Sequence, residues 1–280
     1  MADEAEVQQP EQDNPTLNAT QRTGGATEDE RLLQSPETAD AVHFTDTDPW
    51  RVFRIMGEFV EGFDLLARIG PAVTIFGSAR VPESDPYYAQ ARETARLLGQ
   101  AGFGIITGGG PGIMQAANQG ARDAGALSVG CNIELPFEQG INPHVDVAIN
   151  FRYFFVRKTM FVKYAEAFVI FPGGFGTLDE LFEALTLIQT GKVRDFPLIL
   201  FGSAYWKGLL DWVRNTLLAE GKISPEDVDL VVVTDSPGEC VRVIEQCYEN
   251  HCTTNRRPDL RRKPGAAKGT PAEPEKHDAQ

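Results

Sequence analysis

The stretch Pro172-Gly173-Gly174-Phe175-Gly176-Thr177-Leu178-Asp179-Glu180 holds the residue types and spacing most able to do chemistry. It follows an apolar run over 167–171 and precedes a pattern that places Leu181, Leu185 and Ile188 on one helical face. A glycine turn between a buried strand and a helix leaves backbone N–H groups open at the positive helix end, where a phosphate can sit. Glu180 then stands about one helical turn from that seat. A phosphate cradle beside a carboxylate points to chemistry on a nucleotide. The plainer role for an acid here is to face the helix dipole, and Asp179 is read that way.

Two further glycine turns follow strand-like runs. Gly77-Ser78-Ala79-Arg80 comes after 73–76, and Gly108-Gly109-Gly110-Pro111-Gly112-Ile113-Met114 comes after 104–107. In an open parallel sheet ligands lie beyond the carboxyl ends of the strands, where all three turns fall. One such turn is a weak sign, because tight turns need glycine for steric reasons alone. Three on one sheet edge favour a nucleotide site. None reads G-x-G-x-x-G, and no acid closes the second strand to hold a ribose hydroxyl, so a dinucleotide dehydrogenase is disfavoured. The G-K-[ST] ending of a P-loop is absent too, since Gly191-Lys192 follows a helix. The short cradles fit a monophosphate better than a triphosphate.

The elements that must position these turns are legible as alternating patterns. Strand-like runs at 73–76, 104–107, 127–133, 145–150, 167–171, 197–201 and 230–234 alternate with helical patterns near 86–100, 112–124, 153–165, 177–190, 204–219 and 236–250. This predicts an α/β fold: a Rossmann-like, doubly wound, mostly parallel sheet with helices on both faces. Ahead of it, Thr47-Asp48-Pro49 offers an N-cap and a proline at the first helical position. Phe53, Met56, Phe59, Val60, Phe63 and Leu66 follow as the stripe of an amphipathic helix over 49–68, packing on the core or on a partner subunit. Phe151, Tyr153, Phe154 and Phe155 are read as core or subunit packing.

Charge is unevenly spread over the 280 residues, whose formal net charge is −14. Residues 1–49 carry twelve acids and two bases, and residues 253–280 carry seven bases and four acids. Residues 1–46 are read as a disordered acidic leader, 47–252 as the nucleotide-binding catalytic domain, and 253–280 as a disordered basic tail. Both tails are expected to be dispensable. The mildly acidic centre argues against a nucleic-acid backbone as partner. The Arg256-Arg257 and Arg261-Arg262-Lys263 cluster reads as a solvated end. Cys131, Cys240, Cys247 and Cys252 form no C-x-x-C pair, and the four histidines show no ligand spacing, so neither metal nor cofactor is expected. With no signal-peptide pattern and no apolar run near the ~20 residues that span a bilayer, the chain is read as cytoplasmic and without a membrane partner.

The paired motifs Pro172-Gly-Gly-Phe-Gly-Thr-Leu-Asp-Glu180 and Arg157-Lys158-Thr159-Met160 resemble the PGGxGTxxE and RKxxM patterns of the LONELY GUY family. Those proteins are cytokinin riboside 5′-monophosphate phosphoribohydrolases, once labelled possible lysine decarboxylases. The second turn with Met114 resembles the family's GGGxxGLM loop, with Pro111 and Ile113 as variations, and the likeness covers about residues 70–250. It implies hydrolysis of the N-glycosidic bond of a nucleoside 5′-monophosphate, releasing free base and ribose 5-phosphate, in a homodimer or larger homo-oligomer. It further implies Arg157 and Glu180 as the catalytic pair. Ser78, Gly109, Gly110, Gly112, Met114, Lys158, Gly173, Gly174, Gly176 and Thr177 become the substrate and phosphate contacts, and Glu138 faces the base or ribose. The alternatives are a broad nucleoside-monophosphate nucleosidase and a non-catalytic carrier of a nucleotide or of molybdenum cofactor. The decarboxylase label is set aside, because no lysine sits where a pyridoxal Schiff base could form.

Overall fold

The computed structural model describes residues 27–33, 47–135 and 140–251. Strands β1 (Ala72–Phe76), β2 (Gly104–Thr107), β3 (Ser128–Ile133), β4 (Val147–Phe151), β5 (Ala167–Ile170), β6 (Leu198–Phe201) and β7 (Val232–Thr234) form one sheet. Its order is β4-β3-β2-β1-β5-β6-β7, and every neighbouring pair runs parallel. β1, β2, β5 and β6 are buried along their whole length, as strands covered on both faces must be. Val73 and Ile75 of β1 point into a core shared with α3 (Pro86–Gln100), α4 (Ile113–Asp123) and α8 (Pro237–His251). Phe76 points to the opposite core, shared with α2 (Asp48–Leu66), α5 (Phe154–Tyr164), α6 (Phe175–Gln189) and α7 (Ser203–Trp212). The expected doubly wound sheet is present, and among the described residues it is wholly parallel.

Winding proceeds outward from β1 to β4, then returns to place β5 on the other side of β1. The carboxyl ends of β1 and β5 therefore flank the switch point, where open α/β sheets form a crevice.

Four differences from expectation have local causes. β7 starts at Val232 because the Ser224/Asp227 capping box nucleates a 3₁₀ turn over Pro225–Leu230 first. The helix expected over 204–219 ends as α7 at Trp212 and continues as a π-helical stretch over Val213–Leu218. A short helix, α1 (Glu28–Leu33), lies within the leader read as disordered; Glu28 and Asp29 hold it to Tyr153 and Phe154, and Leu32 packs against the core. Finally, α2 buries Arg51, Glu58, Gly62 and Leu66, while Phe53, Met56 and Val60 face outward. Gly62 sets that orientation, since a Cβ there would lie 2.9 Å from Met160 Cε of α5.

Behind the second glycine turn lies a buried polar hub. Thr107 Oγ1 donates to Asn118 Oδ1 at 2.6 Å and accepts from Gly109 N at 2.9 Å. Asn118 Nδ2 donates to Ser128 Oγ, and Asn142 Nδ2 donates to Asn118 Oδ1 and to the carbonyls of Gly109 and Gly110. Asn118 of α4 is thus bonded to β2, β3 and Asn142, and Asn142 carries the link on to the turn. Because removing Asn118 strands several buried partners, Asn118→Ala is expected to lower the unfolding free energy by about 2–4 kcal/mol in denaturant melts. A loss below about 0.5 kcal/mol would show that the hub does not hold the turn.

Candidate active site

Three turns meet at the switch point because Ser78 joins them through its own backbone. Ser78 N donates to Pro172 O at 3.0 Å, and Ser78 O accepts from Ile113 N at 3.1 Å. The approach tolerates no side chain at two positions. A Cβ on Gly112, whose φ is +66°, would lie 2.4 Å from Ser78 O, and one on Gly77 would lie 2.6 Å from Ile113 Cγ2. In the third turn the side chain of Thr177 folds onto Gly173, leaving 2.1 Å between its Oγ1 and any Cβ there. Tyr205 of α7 donates its hydroxyl to Gly173 O at 2.6 Å and fixes the turn from outside. No side chain caps α6, which starts at the N-cap Gly174. Its first amides are therefore left to solvent or a ligand.

These turns form one wall of a cleft of about 860 Å³, lined by Ser78, Arg80, Gly108, Met114, residues 173–178 and Glu180. Phe154, Arg157 and Phe161 of α5 also line the cleft, together with Ile133 and Leu135. Thr177 and Glu180 are three residues apart on α6 and both are buried, so they share its inner face. Glu180 is only 4% exposed. Burial raises its carboxyl from 4.5 to about 7, against the pull of Lys158 and Arg157 and with help from Glu183 and Asp179. Burial likewise lowers Arg157, opposed chiefly by Glu180. The Arg157 guanidinium lies 4.9 Å from the ring centre of Phe154 and 5.5 Å from that of Phe161. Among the described residues, neither Glu180 Oε2 nor Arg157 Nε has a hydrogen-bond partner, although both atoms are buried.

Of the residues singled out in the sequence, Ser78, Met114, Arg157, Gly173, Gly174, Gly176, Thr177 and Glu180 line this one cleft. The others do not. Gly109, Gly110 and Gly112 are buried in the packing of the second turn, and Gly108 with Met114 presents that turn to the cleft. The first amide of α4 is already spent on Ser78 O, whereas the start of α6 has no side-chain cap. Lys158, expected on phosphate or ribose, instead bridges α5 to α6 by ion pairs to Asp179 at 2.9 Å and Glu183 at 2.7 Å. Glu138 lies outside the described residues. The sequence reading missed Arg80, Phe154, Phe175 and Tyr205. Arg80 could have been found, since it is a cation in the first turn. Tyr205 carried no local signal, because only the β5–β6 pairing brings α7 to the site.

A family model described as "Possible lysine decarboxylase" matches residues 114–244. The cytokinin riboside 5′-monophosphate phosphoribohydrolase of Mycobacterium tuberculosis is 31% identical over 166 residues, covering 57% of this chain and 88% of that protein. An Arabidopsis thaliana cytokinin riboside 5′-monophosphate phosphoribohydrolase is 35% identical over 101 residues, covering 35% of this chain and 46% of the relative. Among solved structures, the molybdenum cofactor binding protein from Rippkaea orientalis is 24% identical with a TM-score of 0.47, covering 64% of this chain and 98% of that one.

Burial of Glu180 also makes stability depend on pH. Its unfolded carboxyl titrates near 4.5 and its folded one near 7, so between those values folding takes up a proton. The contribution of this group is fully present below pH 4.5 and is lost as pH rises through 7. Glu180→Gln keeps the neutral shape and removes that loss. Denaturant melts are expected to show the variant equal to wild type in acid and about 1–3 kcal/mol more stable at about pH 8. Equal stability at both values would place the carboxyl at its ordinary pKa.

Proposed function

The chain belongs to the cytokinin riboside 5′-monophosphate phosphoribohydrolase family, and from that premise we propose that its cleft hydrolyses the N-glycosidic bond of a nucleoside 5′-monophosphate. The products are a free base and ribose 5-phosphate. One observation carries this reading: Glu180 and Arg157 each keep a buried polar atom without a partner, and both line one cleft beside an uncapped helix start. Unpaired buried groups cost stability, and a substrate that pairs with them recovers it.

In this reading the 5′-phosphate sits on the first amides of α6, with the Ser78 hydroxyl and Arg80 beside it. The ribose then lies along the inner face of α6, toward Glu180. Breaking the bond between C1′ and the base nitrogen builds positive charge on the ribose, which a carboxylate stabilises. The same carboxylate can accept a proton from the water whose oxygen bonds to C1′, and a pKa near 7 suits that role. Arg157 faces charge that moves onto the departing base, whose ring nitrogen takes up the proton that Glu180 received, so the base leaves neutral and the carboxylate is restored. The apolar lining from Met114, Ile133, Leu135 and Phe154 suits a purine ring. Lys158 does not support a decarboxylase. Burial pulls its pKa down, but hydrogen bonds to Glu183 and Asp179 prevail and hold it above the usual value, so it stays an ammonium rather than a Schiff-base nucleophile.

The catalytic domain in this proposal is residues 47–252, in a cytoplasmic enzyme. No helix among the described residues is long and apolar enough to cross a membrane. The proposal includes assembly into at least a homodimer. It is supported by Phe53 and Val60 of α2, 64% and 67% exposed, and by the half-exposed Phe154 and Phe155 of α5.

The function is tested by following free base from AMP, isopentenyladenosine monophosphate and their nucleosides. The monophosphates are expected to turn over with kcat/KM at least about a hundredfold above the ribosides, a phosphate contribution of ~2.7 kcal/mol. Glu180→Gln should retain less than about a tenth of the rate. Comparable kcat/KM for riboside and monophosphate, or a Gln variant near wild type, would contradict the reading. Assembly is read by light scattering at micromolar concentration. Twice the 30.7 kDa chain mass or a higher multiple is expected, and a monomer mass would refute it.

A further inference from the structure

Helix α1 buries none of its residues, yet its acids converge on the first turn of α5. That turn needs acceptors, because its N-cap Tyr153 supplies no side-chain cap. Glu58 of α2, 3% exposed, accepts from Arg152 N at 3.1 Å and from Tyr153 N at 3.3 Å. Asp29 of α1 takes the next amide, Phe154 N, at 3.0 Å. Glu28 accepts from the Tyr153 hydroxyl at 3.1 Å and pairs with Arg54 of α2 at 3.5 Å. Three successive amides are thus held by carboxylates from two helices that precede the first strand.

The connection onward to the cleft is short. Phe154 lines the cleft, its ring lies 4.9 Å from the Arg157 guanidinium, and Arg157 N closes the first turn on Tyr153 O at 3.3 Å. Burial raises the Asp29 carboxyl, against the pull of the Phe154 amide and of Arg157, so Asp29 also feels the charge of the residue it steadies.

We propose that Asp29 is a positioning residue for the reaction: by clamping the first turn of α5 it sets Phe154 and the Arg157 guanidinium against the cleft. The inference rests on the hydrolase reading above. It also reverses the expectation that the leader is dispensable, since a chain beginning at residue 47 keeps Glu58 but loses Asp29. A cap at a helix start orders that turn, and small misplacements of a charged group lower turnover steeply.

The test uses the full chain as wild type, Asp29→Ala and Asp29→Asn. Base release from a nucleoside monophosphate, thermal melts and hydrogen exchange of residues 152–158 are compared. Asp29→Ala is expected to lower kcat roughly tenfold with KM within about twofold, while the melting temperature stays within about 2 °C. Its amides at 153–157 should exchange faster, with or without substrate. Asp29→Asn should keep at least about half of the rate, because its amide oxygen accepts the same N–H. If wild type itself releases no base, the hydrolase reading fails, while the exchange data still decide whether Asp29 clamps α5. Unchanged exchange or unchanged kcat in Asp29→Ala overturns the proposal. So does an Asn variant as impaired as Ala, or an Ala variant that no longer folds.

Discussion

Two backbone hydrogen bonds at Ser78 govern the geometry of the site. Its N–H holds Pro172 O and its carbonyl takes Ile113 N, so the turns after β1, β2 and β5 cannot move apart. The first and second turns can approach so closely because Gly77 and Gly112 present no side chain, and Gly112 also adopts a backbone angle that other residues avoid. The parallel sheet supplies the frame: β1 and β5 lie side by side at the switch point, so their carboxyl ends deliver the turns to one place. The third turn is left with the open helix start, and the second serves as its support.

Within that frame, the cleft concentrates polar groups that the fold leaves incomplete. Glu180 is enclosed firmly enough to raise its carboxyl to about 7, and Arg157 is pulled down by the same loss of water. Lys158, one residue away on α5, has two acidic partners instead, and together these lock α5 to α6. Neighbouring cations therefore divide the work, one fastening helices and the other facing the cleft. This division is the basis for assigning chemistry to Arg157 and Glu180 in the proposed reaction.

The strands were legible because parallel strands buried on both faces must be apolar runs, and runs such as 104–107 admit no other reading in this context. Thr177 and Glu180 were legible because a glycine turn fixes where the following helix begins. Less visible was anything that depends on which face meets which neighbour. The stripe of α2 is a true helical pattern, yet Gly62 against Met160 leaves Phe53, Met56 and Val60 outward, with Phe59 and Leu66 on the core and Glu58 inside. A buried glutamate reads from sequence as a surface residue, because its partners, the amides of Arg152 and Tyr153, lie more than ninety positions away. Asn118 and Asn142 hid for the same reason, as hydrogen-bonding residues whose partners come from separate elements.

The most direct test of the account is a crystal structure of the Glu180→Gln protein with a nucleoside 5′-monophosphate bound. The account predicts the phosphate on the first amides of α6, beside Ser78, with the C1′ carbon within about 4 Å of the residue 180 side chain and the base toward Arg157. A phosphate seated elsewhere, or a ribose turned away from residue 180, would contradict it.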